Sequence, residues 1–262
     1  MATRFQVLTF NTLFFGQVRL RRRALGEILN RSAFDVICLQ EILWRWGLGE
    51  LRAICRTYPH VAYAAQGPAI TGGLVTLSRW PTVERLYVVY RVRTARGRPR
   101  VDWFLRKGFL ITRFEIASQP VTVVNTHLTA NSDGDWSRTN RYSAALRAEL
   151  HQLAEVLSTV DGNVPMLVMG DFNVPRDSWL LDEFLEMTGL DDVMAGDTRP
   201  TYRPTPRLRT TQAIDHLLVR PSPSHRVVAH PKLAFEEPIS LPDNRSVHLS
   251  DHYGIESQIE LT

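Results

Sequence analysis

The sequence predicts an α/β fold in which helices cover a pair of packed sheets, and three observations carry that prediction. Short apolar runs of strand length recur along the chain, amphipathic stretches lie between them, and no segment is long and apolar enough to cross a bilayer. Hydrophobic residues make up 44% of the 262, enough for a sizeable core and unlike a disordered chain. No repeat, low-complexity stretch or linker divides the sequence, so it is read as one domain, 1–262.

The first strand is "FQVLTF" at 5–10. "RLRRRALGEILNR" then predicts a helix whose stripe of Leu20, Ala24, Leu25, Ile28 and Leu29 faces the sheet while Arg21, Arg22 and Glu27 face outward. "DVICLQ" at 35–40, "GLVTLS" at 73–78, "FLITRFEI" at 109–116 and "VTVVNT" at 121–126 continue the strands. Several of the strands alternate or run continuously apolar, as strands buried against a second layer do. From about Arg138 to Thr159, Tyr142, Ala145, Leu146, Leu150, Leu153, Ala154 and Leu157 keep helical spacing. "PMLVMG" at 165–170 returns to strand, and "SWLLDEFLEMTG" predicts a helix opened by Asp177 and Ser178 and stopped at Gly189. "AIDHLLV" at 213–219 and "GIESQIEL" at 254–261 complete the strands. Segments 92–103, 197–212 and 231–246 read as loops, where specificity is expected to reside.

The net charge of +4 favours anionic partners, although of the lysines there are only Lys107 and Lys232, and scattered arginine also follows from base composition. Cys38 and Cys55 are too few for a disulfide framework and are read as thiols. The N-terminal "MATRFQVLTF" is strand-like and carries no apolar leader, so the expected location is cytoplasmic, with no obligate protein partner evident. The central residues of zinc proteases, serine hydrolases and P-loop enzymes are missing: there is no HExxH, GxSxG or GxxxxGK[ST].

What stands out is how the strands end. "VLTFNTL" ends in Asn11, "VICLQEI" in Gln40 and Glu41, "VTVVNTHL" in Asn125 and His127, and "VMGDFNV" in Asp171 and Asn173. Asp215 opens one later strand, and Asp251 and His252 precede the last. An ionised carboxylate at the end of a buried strand needs water, donors or a cation. Each residue alone is an ordinary turn former or solvated end; six such ends together predict one rim. The donors are carboxylates, amides and imidazoles without thiolates, a set suited to Mg²⁺ or a similar hard cation such as Mn²⁺.

The ordered motifs "TFNTL", "LQE", "NTHL", "GDFN", "IDHLL" and "SDH" resemble the endonuclease/exonuclease/phosphatase superfamily of metal-dependent phosphohydrolases, from Asn11 to His252. The resemblance implies a four-layered α/β sandwich, two packed mixed β-sheets flanked by helices, with the site at one rim. It implies Glu41 as principal metal ligand, with Asn11 holding the metal environment or phosphate and Asp251 serving the metal through water or placing the neighbouring imidazole. His127 and Asn173 become donors to phosphoryl oxygens. Asp171 orients or deprotonates the attacking water, and His252, held by Asp215, is the other candidate base or a cationic clamp.

Four further stretches, "GGLVTLSRWP", "DWFLRKGFLITRF", "RTNRYSAALRAELHQLAEVL" and "SDHYGIESQI", resemble the bacterial and neutral sphingomyelinase branch. That branch implies a phosphodiesterase acting on a phospholipid or small diester, with Lys107 binding a phosphoryl oxygen or leaving group; as a bare residue, Lys107 is equally a solvated loop end. The chain departs from the branch before "SDH", where Phe235 is the only aromatic in "KLAFEEPISLPDNRSVHLSDH", so Trp103 and Phe104 are the candidate lipid-facing pair. The alternative is a Mg²⁺-dependent nuclease, for which "RVRTARGRPRVDWFLRK" at 91–107 offers seven basic residues interleaved with aromatics, extended by Arg19, Arg21, Arg22 and Arg23. An inactive anion-binding scaffold would require lost site residues, and every matched position is filled.

Overall fold

The computed structural model describes residues 2–91, 105–204, 211–240 and 246–262. Its strands are β1 (Thr3–Asn11), β2 (Val36–Gln40), β3 (His60–Ala62), β4 (Ala65–Gln66), β5 (Ala69–Ile70), β6 (Val75–Ser78), β7 (Thr82–Val89) and β8 (Gly108–Ile116). They continue with β9 (Gln119–His127), β10 (Met166–Asp171), β11 (Asp191–Asp192), β12 (Asp215–Arg220), β13 (Val227–Ala234), β14 (Ile239–Ser240), β15 (Ser246–Val247) and β16 (Gly254–Leu261). The helices are α1 (Val18–Arg31), α2 (Arg45–Ile54), α3 (Arg141–Ser158) and α4 (Trp179–Thr188).

Two six-stranded sheets form, ordered β13-β16-β1-β2-β6-β3 and β11-β12-β10-β9-β8-β7. Each is mixed: β1 and β2 run parallel, as do β9 and β10, and their remaining pairs are antiparallel. The period of two along each strand sorts side chains into three large cores, beside a small cluster of Ala62, Leu74 and Leu110. Phe5, Val7, Val36, Cys38, Val123, Leu167, Met169 and Ile255 pack between the sheets. Leu8, Phe10, Ile37 and Leu39 point the other way, onto Leu25 and Leu29 of α1 and Leu48 and Leu51 of α2. Val124, Met166 and Val168 meet Leu146, Leu150 and Leu153 of α3 and Leu181 and Phe184 of α4. The order is helices, sheet, sheet, helices: a four-layered α/β sandwich. Burial on both faces is why central strands such as β2 and β10 read as continuously apolar.

Most predicted elements form within a residue or two of their expected ends. Ser178 caps α4 by accepting from Leu181 N, and Gly189 ends it in the left-handed region at φ +62°. Besides the short strands β3, β4, β5, β11, β14 and β15, three longer elements are not anticipated by the sequence reading. Pro231 lies inside β13, tolerated because β13 is an edge strand whose missing donor faces no neighbour. β7 is the opposite edge and is largely exposed, and α2 carries Gly47 and Gly49, which lower helix propensity. The orientation of α1 is also corrected: Arg21 and Arg22 are buried, and Leu20 is exposed. Arg21 turns inward because its guanidinium donates to the carbonyls of Thr12, Leu13, Phe15 and Leu249, tying the loop after β1 to the approach to β16.

Candidate active site

The inner row of each central strand, apolar through the core, becomes polar at one end. On β1 the row runs Phe5, Val7, Thr9, Asn11; on β9 it runs Val121, Val123, Asn125, His127; on β10, Leu167, Met169, Asp171. Register sets His127 and Asp215 on either side of Asp171, in adjacent strands of one sheet. Asn11 and Glu41 come from the facing sheet, so the site is the mouth between the two.

Asp171 is the hub. Asn11 Nδ2 donates to its Oδ2 at 2.9 Å and to Glu41 Oε1 at 3.3 Å, so one amide serves two carboxylates. His127 Nε2 lies 3.3 Å and His252 Nε2 3.8 Å from the same Asp171 oxygen. Asn173 N donates to Asp171 Oδ1 at 3.0 Å, while its side-chain amide donates to Leu128 O at 3.1 Å. Trp136 Nε1 donates to Asn173 O at 2.9 Å and steadies this turn from outside. Glu41 and Asn173 both hold left-handed backbone, at φ +66° and +53°, a strain that clusters at functional positions.

The "GD" in "VMGDFNV" has a packing cause. Gly170 sits at φ +151°, and a Cβ there would lie 2.0 Å from Thr126 O on the neighbouring strand. Only glycine lets β10 lie this close to β9, which brings Asp171 beside His127.

Lys107 is buried rather than a solvated loop end, and its Nζ lies 2.8 Å from both His127 Nε2 and Leu128 O. Burial, then the charges of Lys107 and His252, push His127 well below its usual range, so the ring is neutral. With the lysine donating, Nε2 is the acceptor.

His252 is the opposite case. Burial works against its charge, but Asp215 and Asp171 outweigh it and push it up to about 10. Asp215 Oδ2 accepts from His252 Nδ1 at 2.9 Å and from Thr201 Oγ1 at 2.7 Å. Thr201 is fully buried, and its hydroxyl in turn accepts from the backbone N–H groups of Ile214 and Asp215. Tyr202 meets the imidazole edge-on, ring centroids 4.9 Å apart. Thr201 lies in a segment read only as loop, with no local signal of its place.

The carboxylates are held against their own chemistry. Burial raises Glu41, opposed by the Phe14 N–H bond and by the charges of His252 and Lys107. Burial also pushes Asp171 up to about 7 despite the His252 charge. Two desolvated carboxylates sharing one donor suit a cation between them. Asp171, Asp215 and His252 also bring ligand atoms within 4.8 Å of one another. The Asp215 oxygen is already spent on His252 and Thr201, so the Glu41 and Asn11 side fits a cation better. Asp251 is half-buried, accepts from Ser250 Oγ at 3.2 Å and places its charge near Arg21 and His252.

Two residues read as rim tips lie one step below it. Gln40 Nε2 donates to Asn125 Oδ1 at 2.8 Å and to Thr9 Oγ1 at 3.1 Å. Asn125 Nδ2 donates to the carbonyls of Leu39 and Val75, both at 3.1 Å, so this amide pair bridges the sheets beneath the site. Trp103, Phe104 and nearly all of the basic stretch 91–107 lie outside the described residues.

Fold and site together define a polar cleft lined by carboxylates, amides, imidazoles and a buried lysine, built where two sheets open. The chain matches the Endonuclease/Exonuclease/phosphatase family over residues 8–252, and it belongs to that family. It is 27% identical over 201 residues to an inositol phosphosphingolipids phospholipase C of Schizosaccharomyces pombe, covering 68% of this chain and 47% of that protein. To a putative neutral sphingomyelinase of Drosophila melanogaster it is 25% identical over 97% of this chain and 60% of the other. The chain thus spans about half the length of these relatives. Two solved structures share the fold. Beta toxin from Staphylococcus aureus with bound magnesium ions has a TM-score of 0.76 and 16% identity, covering 97% of this chain and 99% of that one. TDP2 from D. rerio, complexed with a single-strand DNA product, has a TM-score of 0.76 and 16% identity, with 98% of both chains covered.

Proposed function

We propose that the chain is a divalent-metal-dependent phosphodiesterase acting on a phospholipid or small diester, in the manner of a sphingomyelinase. The observation that carries the chemistry is the convergence of Asn11, His127, Asn173 and His252 on the single carboxylate of Asp171, with Glu41 joined to it through the shared Asn11 amide. The lipid side of the proposal is supported by the names of the curated relatives.

Glu41 is the principal ligand of the cation, with Asn11 beside it and Asp251 acting at one remove; Mg²⁺ fits the hard-oxygen set, and Mn²⁺ is a second candidate. When bound, such a cation supplies Lewis-acid charge to the phosphoryl group. Asp171, poised at about 7, takes the proton of the attacking water as its oxygen bonds to phosphorus. His252 is held cationic by Asp215, so it acts as the clamp and proton donor: its Nε2–H serves the departing ester oxygen as that P–O bond breaks. Lys107 and the Asn173 amide stabilise charge on the non-bridging oxygens, and neutral His127 positions the lysine.

The test is a panel of phosphoesters, from sphingomyelin and phosphatidylcholine through phosphoinositides to DNA and RNA, assayed with Mg²⁺ and with chelator. Mg²⁺-dependent release of a phosphorylated head group is expected, abolished in Glu41→Ala with the fold intact by circular dichroism. Rapid plasmid nicking without lipid turnover would make the chain a nuclease, and full activity in Glu41→Ala would remove the metal assignment.

A further inference from the structure

The large apolar side chains left in water are unevenly placed. Eight are exposed among the described residues, and four of them, Phe15, Leu20, Trp44 and Trp46, fall in the two segments that follow β1 and β2. They include all three exposed Phe and Trp residues of that set, Phe15 at 62%, Trp46 at 55% and Trp44 at 38% exposure.

Topology puts them at one end of the molecule. β1 and β2 are parallel neighbours, each followed by a helix. The Arg22 guanidinium lies over the Trp46 ring at 5.3 Å and against Gly47, while Gly26, one turn further along α1, packs on Leu51 and Ile54. Contacts advancing together along both helices make α1 and α2 parallel, with both N-terminal ends at the rim that carries Asn11 and Glu41. Phe14 N donates to Glu41 Oε2 at 2.9 Å, and the Phe14 and Phe15 rings lie 3.8 Å apart, so the aromatic end adjoins the cleft.

The same end is basic. Arg19, Arg23 and Arg45 are exposed, and Glu50 is the only acid in residues 12–23 and 44–50. Glu50 is already paired with Arg22 at 2.8 Å and Arg19 at 3.2 Å, and Glu27, one turn further along α1, pairs with Arg23 at 3.3 Å. Exposed aromatics ringed by arginine are the composition that partitions to the boundary between headgroups and acyl chains.

We propose that the N-terminal end of the α1–α2 layer seats the protein on an anionic lipid bilayer, with Phe15, Trp44 and Trp46 at the headgroup boundary and Arg19, Arg23 and Arg45 against acidic headgroups. This deepens the lipid phosphodiesterase reading and rests on it for the choice of a bilayer over another polyanion. Docking in this pose presents the mouth of the cleft to the surface that holds the substrate.

The test is sedimentation of the full chain with sucrose-loaded vesicles of phosphatidylcholine, with and without phosphatidylserine, in chelator so that no turnover occurs. Wild type is expected to bind the phosphatidylserine vesicles and to be released by high salt. Phe15→Ser/Trp46→Ser is expected to lower the partition coefficient about tenfold or more. Its hydrolysis of water-soluble bis(para-nitrophenyl) phosphate with Mg²⁺ should stay at the wild-type level, which also shows that it folds. Val83→Ser/Leu86→Ser, which removes exposed apolar residues from β7, should bind as wild type does. Equal vesicle binding by wild type and Phe15→Ser/Trp46→Ser overturns the proposal. So does wild type that ignores vesicles yet holds a single-stranded oligonucleotide through the same residues. The vesicles contain no sphingolipid, so a protein that hydrolyses no lipid still reports on this surface. Lipid turnover in detergent without vesicle binding removes the surface and leaves the activity standing.

Discussion

Replacing Asp215 with Asn isolates the charge on His252 while keeping the size of its partner. Asp215 is 1% exposed, and its Oδ2 holds His252 Nδ1 at 2.9 Å and Thr201 Oγ1 at 2.7 Å. Burial alone would leave the imidazole neutral; Asp215 first and Asp171 second push it up to about 10. At pH 7 that corresponds to roughly one neutral ring in a thousand. In Asp215→Asn the largest of the opposing charges and its charged hydrogen bond are gone, and burial shifts the ring toward the neutral form. Nδ1 then accepts from the new amide, and Nε2–H remains a donor without net charge. Losing the cationic donor should lower kcat/KM on bis(para-nitrophenyl) phosphate by about 10²–10⁴-fold, or ~3–5 kcal/mol of barrier. Stability gives an independent readout. The folded pKa of His252 stands above its unfolded value, so its contribution is complete below about pH 6.5 and is lost as pH rises through about 10. The gap in Tm between wild type and Asp215→Asn is therefore widest near pH 6 and closes toward pH 10. A variant with kcat/KM within about threefold of wild type, or a Tm gap independent of pH, would refute the assignment of His252 as a charge held by Asp215.

Glu41 and Asp171 are both raised by burial, Asp171 to about 7, so a cation beside them competes with protons as pH falls through about 7. Thermal stabilisation by Mg²⁺ should accordingly be larger near pH 8 than near pH 6 and vanish with chelator; an equal shift at both would contradict carboxylate ligation. Gly170→Ala, whose Cβ would meet Thr126 O at 2.0 Å, should cost ~3 kcal/mol or more in urea unfolding by prising β10 from β9, and an unchanged midpoint would show that the strands have room. Asp192 pairs with Arg176 at 2.7 Å, and although burial opposes its charge, His216, Arg176 and the Met194 N–H hold it at about 2. Because that folded pKa is depressed, the pair's stabilisation is present above about pH 3.8 and is lost as pH falls through about 2; Asp192→Asn should cost ~3–5 kcal/mol at neutral pH, measured by denaturant titration.

The strands were legible as short apolar runs, and the candidate site as the polar residues at their ends, among them Asn11, His127, Asp171 and Asp215; the four layers came from the resemblance of the ordered motifs. Gln40 and Asn125 are strand ends of the same kind, and no sequence rule separates a floor from a rim until the depth of the inner row is known. Arg21 was hidden because helical periodicity assigns faces by side-chain type and cannot anticipate four carbonyls waiting at the end of a long side chain. Thr201 was hidden because no local spacing rule joins it to its partner Asp215, 14 residues away in the sequence. β13 was masked by Pro231, which forbids only a central strand.

The amide pair Gln40 and Asn125 has a further implication. The proposed reacting groups are divided between two plates, Asn11 and Glu41 on one and His127, Asp171 and Asp215 on the other, so the gauge of the slot equals the spacing of the plates. A rivet set directly under the slot fixes that gauge, and trimming either amide should blunt turnover through misalignment while every reacting side chain remains in place.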